Sequence, residues 1–70
     1  MRSKKELPRQ EQDAIERGYG AAIENLFKSF YDEFTAAIGS PNAEMGAKER
    51  FRNGIIHARR ARELALEILP

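Results

Sequence analysis

His57 is the single histidine of this 70-residue chain, and Glu33 falls on the apolar side of a helical pattern that also holds Ile15, Leu26 and Ala37. A histidine and a carboxylate can share a metal ion or pass a proton, so these two residues are the first chemistry to weigh. Metal sites built inside helical bundles from bridging carboxylates take the form Glu-x-x-His, with both side chains directed at the bundle centre. Here the residue three before His57 is Gly54, and the pattern is missing. A lone histidine beside Ala58 and Ala61 reads as a packed or partly exposed side chain. A carboxylate on an apolar face is costly unless it is paired. Glu33 is therefore expected to meet Arg50 or Lys48 across a hairpin, or an arginine of a second copy.

Other reaction classes lack their residues. There is no cysteine, hence no thiolate nucleophile, thiolate metal site or disulfide, and Ser3, Ser29 and Ser40 stand in no Gly-x-Ser-x-Gly context. The glycines neither follow the phosphate-loop spacing nor succeed a strand. The expectation is a protein that is not an enzyme, with no catalytic residue, metal or cofactor.

The segment His57-Ala58-Arg59-Arg60-Ala61-Arg62 is the strongest binding candidate. Helical spacing directs Arg59 and Arg60 outward and brings Arg62 round toward Phe51, Ile55 and Leu69, where its stem can pack and its guanidinium can reach a carboxylate. With Lys48 and Arg52 these residues form a basic strip, which Arg2, Lys4 and Lys5 extend. Arginine and tyrosine are enriched at binding hot spots, so Arg52, Arg59, Arg60, Arg62, Tyr19 and Tyr31 are the candidate partner-binding residues. The same strip could bind nucleic-acid phosphates. Against that, Glu49, Glu63 and Glu67 lie within a helical turn of the arginines and compete for them. The turn that joins two long antiparallel helices is also no helix-turn-helix.

Two helices must position all of this. Pro8 suits the first position of a helix, and apolar residues at Ile15, Tyr19, Ala22, Ile23, Leu26, Phe27, Phe30, Phe34, Ala37 and Ile38 recur at threes and fours. The pattern predicts a basic tail over 1–7 and a first helix over 8–38, with Gly18-Tyr19-Gly20 as a point where it can kink or break. Gly39 can take the left-handed conformation that closes a helix, Ser40 can cap the next, and Pro41 can start it. The second helix is predicted over 41–69, with Phe51, Ile55, Ala58, Ala65, Ile68 and Leu69 on one face.

A tight turn at 39–40 sets side by side residues whose numbers sum to about 79, because both helices rise equally per residue. Small residues at Ala14, Gly18, Ala21 and Ala22 would then meet Gly54, Ala58, Ala61 and Ala65 at the open end. Phe27, Phe30 and Phe34 would group with Met45 and Phe51 near the turn.

A chain of this length buries only about 60% of the surface its unfolded form exposes, and without disulfides oligomerisation is the expected remedy. The apolar stripe of the first helix is also wider than the ~100° that one partner needs. The fold class expected is therefore all-α: an antiparallel two-helix hairpin that dimerises into a four-helix bundle. Ile23, Phe27, Phe30, Phe34, Ile56 and Leu64 are the candidate dimer interface.

The basic start Met1-Arg2-Ser3-Lys4-Lys5 is followed by Glu6, Pro8 and Gln10 and not by an apolar run, so neither a signal peptide nor a membrane span is expected, and the location expected is cytoplasmic. The composition and the exposed residues together point to a small interaction protein that binds and modulates another protein. An inhibitor of a host transcription regulator or ATPase, such as phages encode, is an example of the class. A nucleic-acid-binding dimer and a structural bundle subunit of a larger assembly are the alternative expectations.

Overall fold

The computed structural model describes the backbone of residues 2–70 and the side chains of residues 9–70. Helix α1 spans Arg2–Ala36 and helix α2 spans Pro41–Ile68, and the two pack antiparallel as a hairpin. Its Cα atoms extend 60 × 16 × 7 Å, a layer one helix thick with two broad faces. No helix among the described residues is long and apolar enough to cross a membrane.

The turn is built by the residues expected to build it. Gly39 has φ of 90°, a conformation that a side chain would strain. Ala37 N–H donates to the Phe34 carbonyl at 3.0 Å and Ser40 N–H to that of Ala37 at 2.9 Å, so α1 closes at Ala36, short of the expected Ile38. Pro41 opens α2, and Ser40 precedes it in extended conformation without a side-chain capping bond. Its carbonyl accepts the Glu44 N–H at 2.9 Å, so Ser40 acts through its backbone. At the far end Leu69 donates its N–H to the Leu66 carbonyl, which sets the end of α2 at Ile68.

Helix α1 differs from expectation in two places. It begins ahead of Pro8, so Pro8 stands inside the helix and not at its first position, without the N–H that would bond the carbonyl four residues back. It also runs unbroken through Gly18-Tyr19-Gly20. Arg2, Lys4 and Lys5, expected to extend the basic strip, lie outside the residues whose side chains are described.

The seam between the helices is filled by knobs of α1 set against small residues of α2. Leu26 sits over Gly54 so closely that a Cβ added there would collide with Leu26 Cδ2 and lie 3.2 Å from Cδ1. Gly54 thus answers to a close approach, and its helical cost of ~1 kcal/mol against alanine is offset by that contact. Phe30 stacks on Phe51 with ring centroids 5.0 Å apart. Facing residues sum to about 80, one step from the expected register, with equal rise in both helices.

The small-residue ladder of α1 is corrected. Ala14, Gly18 and Ala21 are exposed, and an added Cβ at Gly18 or Gly20 would meet nothing within 4 Å. The seam instead follows Ile15, Tyr19, Ala22, Leu26, Phe30, Glu33 and Ala37, half-buried or buried throughout. Both stripes obey the spacing of threes and fours. The larger side chains win because they remove more apolar area from water. On α2, Gly54, Ala58 and Ala65 do face the seam, whereas Ala61 is exposed at its border. Ile68, expected on the packed face, is 81% exposed.

Candidate functional site

Arginine 62 is engaged within the hairpin. Its Nε and Nη2 donate to Glu16 Oε1 and Oε2 at 2.7 and 2.5 Å, and its guanidinium carbon lies 5.6 Å from the centroid of the Tyr19 ring. This bidentate fork suits a planar guanidinium. The hydrogen bond from Arg62 holds the Glu16 carboxyl below its ordinary range despite partial desolvation. The same bond holds the Arg62 guanidinium above its own. Arg62 and Tyr19, both candidate partner-binding residues, are half-buried at the open end, where Arg62 joins Tyr19 and Glu16. The expected carboxylate partner of Arg62 is present, and it comes from α1.

Of the remaining cations, Arg52 pairs with Glu49 at 3.1 Å and Arg60 with Glu63 at 3.2 Å, both on exposed α2 surface. Such short-range pairs contribute little to stability and yield readily to a competing anion. Arg50 Nε meets Glu33 Oε1 at 3.0 Å, one of the alternatives expected, the others being Lys48 and an arginine of a second copy. Arg59 and Lys48 are exposed and form no ion pair among the described residues. His57 is exposed. No group of three or more histidine and carboxylate side chains among the described residues is placed to hold a metal ion.

An aromatic strip runs beside these charges. Phe27 is 54% and Tyr31 56% exposed, with centroids 6.3 Å apart. Phe34 stacks on Phe30 at 5.9 Å while keeping 38% of its surface in water. Ile23 is half-buried on the same side of α1, and Ile56 and Leu64 are exposed on α2. Phe30 belongs more to the seam than to the outer strip. Phe34 shares a recess with Glu44, Met45 and Lys48, so the aromatic strip and the edge of α2 that carries Lys48 open onto the same face. The opposite face holds Ala36 of α1 together with Ala43, Gly46 and Arg50 of α2.

Near the open end a recess of about 210 Å³ lies between Tyr19 and Ala22 of α1 and Ala58, Ala61 and Ala65 of α2. Its floor is apolar, and Arg62, the charged residue at its rim, is held by Glu16. Three features of the surface escaped the sequence: the Glu16 carboxylate, the face on which Lys48 joins the aromatics, and the freedom of Arg59. Glu16 stands one residue from Ile15, and a scan for carboxylates bordering the apolar stripe would have found it.

The fold and this surface define an antiparallel two-helix hairpin with one aromatic and basic face. No protein-family model, curated protein or solved structure matches the chain significantly.

Proposed function

We propose that this chain is a small non-enzymatic interaction protein that pairs with a second copy into a four-helix bundle and, as that dimer, binds and modulates another protein. The observation that carries the reading is how little the hairpin buries. Ala37 and Ala47 are its buried apolar residues among those described, while Phe27, Tyr31, Met45 and Ile56 are each half exposed or more. Monomeric proteins seldom expose contiguous apolar surface of this kind. A strip of aromatics also exceeds what one hairpin partner can cover. The arginines of α2 add the polar contacts common at binding hot spots, and the supply of Arg59 is unspent.

Sedimentation across a concentration series tests the first half. A mass of two chains that persists on dilution into the low micromolar range supports the dimer, and a monomer throughout removes it. Capture of binding proteins by the wild type and by an Arg59→Ala, Arg60→Ala variant, both at matched oligomeric state, tests the second half. A protein lost from the variant alone supports a site at these arginines; identical captures overturn it. Exposed Lys48, which shares a recess with Phe30 and Phe34, and exposed Arg59 also fit the alternative, a dimer that binds nucleic acid. Titration with duplex DNA and RNA separates the two readings, since phosphate binding weakens steeply with salt.

A further inference from the structure

The dimer proposed above, on which this inference rests, can be assembled through the aromatic face in two ways. A twofold axis perpendicular to the helices lays α1 on α1 and α2 on α2, with the turns at opposite ends. A twofold axis parallel to the helices lays α1 of each hairpin on α2 of the other, with both turns at the same end. Charge distinguishes them. Over residues 9–36, Glu11, Asp13, Glu16, Glu24, Asp32 and Glu33 outnumber Arg9, Arg17 and Lys28. In α2 the balance reverses, as Lys48, Arg50, Arg52, Arg59, Arg60 and Arg62 outnumber Glu44, Glu49, Glu63 and Glu67. Among the described residues, both ion pairs that cross the hairpin run from a carboxylate of α1 to an arginine of α2.

We infer that a second copy covers the aromatic face head to head, each α1 lying against the α2 of its partner. The alternative would lay the basic α2 of one hairpin antiparallel on that of the other, setting the strip of Lys48, Arg52 and Arg59 against the same strip of the second copy, and like charges juxtaposed across an interface disfavour it. A twofold axis parallel to the helices leaves the height of every residue unchanged. The register of about 80 within the hairpin therefore recurs between the two copies.

At that register Phe27 falls between Arg52 and Ile56 of the second copy, and Phe34 falls beside its Met45. Ile56 and Met45 are 50% and 63% exposed in the single hairpin, so they gain the cover that the hairpin withholds. Glu24 and Arg59, exposed and without an ion pair among the described residues, meet across the interface. Each stands roughly two and a half helical turns from Glu33 and Arg50 respectively. That places them at a matched height, as Glu33 and Arg50 are, but on the opposite side of their helices. The pair closed within one hairpin is thus repeated between two. Arg60 remains directed away from the second copy.

Spin labels at the turn decide the arrangement. The chain has no cysteine, and Ser40 is exposed with a side chain that caps nothing, so Ser40→Cys gives a single benign label site. Glu67→Cys, also exposed, gives an independent one at the open end. Pulsed dipolar spectroscopy of each labelled dimer is expected to show separations on the order of 20 Å at both sites, given neighbouring helix axes 8–10 Å apart and the label arms. Separations of roughly 40 Å at the turn, set by a ~1.5 Å rise per residue, would overturn the head-to-head arrangement and leave the dimer standing. Absence of dipolar coupling together with a monomeric mass would overturn both.

Discussion

The turn half and the open half of the hairpin are held by different chemistry. Toward the turn, aromatic rings stack across the seam from Phe34 through Phe30 to Phe51, and the Glu33–Arg50 pair beside them is a single contact with the arginine side chain 65% exposed. Toward the open end small residues, Ala22, Ala58 and Ala65, line a recess with Ile15 and Tyr19, and the Glu16–Arg62 pair is bidentate, with side chains 38% and 36% exposed. Where apolar area is plentiful, the ion pair is peripheral. Where side chains are small, a charged fork seated on a tyrosine supplies the contact that alanine cannot.

The contrast can be broken at the point where the halves meet. Gly54→Leu forces a branched side chain into the space of Leu26, and is expected to destabilise the hairpin by on the order of 3 kcal/mol. Thermal unfolding by circular dichroism reads this directly. Gly18→Ala is its control: with open space around Gly18, alanine is expected to raise stability by up to ~1 kcal/mol. Equal losses from both would show that Leu26 does not seat on Gly54.

Phe30→Ala removes the central ring of the stack and is expected to cost about 2 kcal/mol, below the range for a fully buried phenylalanine because Phe30 is only half-buried. Amide exchange in this variant should accelerate more around the turn than around Tyr19. Uniform acceleration would mean that the halves are not separable.

That outcome bears on how far the sequence could be read. The hairpin, its turn at Gly39 and Pro41, and the Glu33–Arg50 pair were legible, because backbone conformation and charge partnership follow from residue type and spacing. The seam of α1 was misplaced by one residue. Ala14, Gly18 and Ala21 keep the helical period as faithfully as Ile15, Tyr19 and Ala22, and period alone cannot choose between parallel stripes. Continuation does choose: the first stripe runs on to Asn25, Lys28 and Asp32, the second to Leu26, Phe30 and Ala37. Which arginine is free was not legible at all, since that depends on which carboxylate each one reaches in space.

The proposed dimer extends the comparison from halves of one hairpin to two hairpins. Arg59→Glu breaks both symmetry-related Glu24–Arg59 contacts and is expected to weaken dimerisation roughly thirty-fold, the scale of ~1 kcal/mol for each exposed pair, and adding Glu24→Arg should restore it. Sedimentation equilibrium measures both; failure of the second change to rescue the first would exclude the contact.

The smallest effect lies in the pH dependence of the open end. The Glu16 carboxyl is held below its ordinary range by its hydrogen bond to Arg62, so its contribution is full above the ordinary carboxylate range and is lost as pH falls through the depressed value. The melting temperature of wild type should exceed that of Glu16→Gln near neutrality, and the gap should shrink on acidification below about pH 5. A gap independent of pH would assign the effect to packing.

The buried residues among those described, Ala37 and Ala47, flank the turn, where the chain segment to be closed is shortest. Loop closure is least costly there, so the first tertiary contact to form in folding and the last to dissolve should be the one beside Gly39. The hairpin then zips outward from the turn. The Glu16–Arg62 fork acts as a clasp at the end that closes last, and the free energy needed to open the chain locally should decline along its length from turn to clasp.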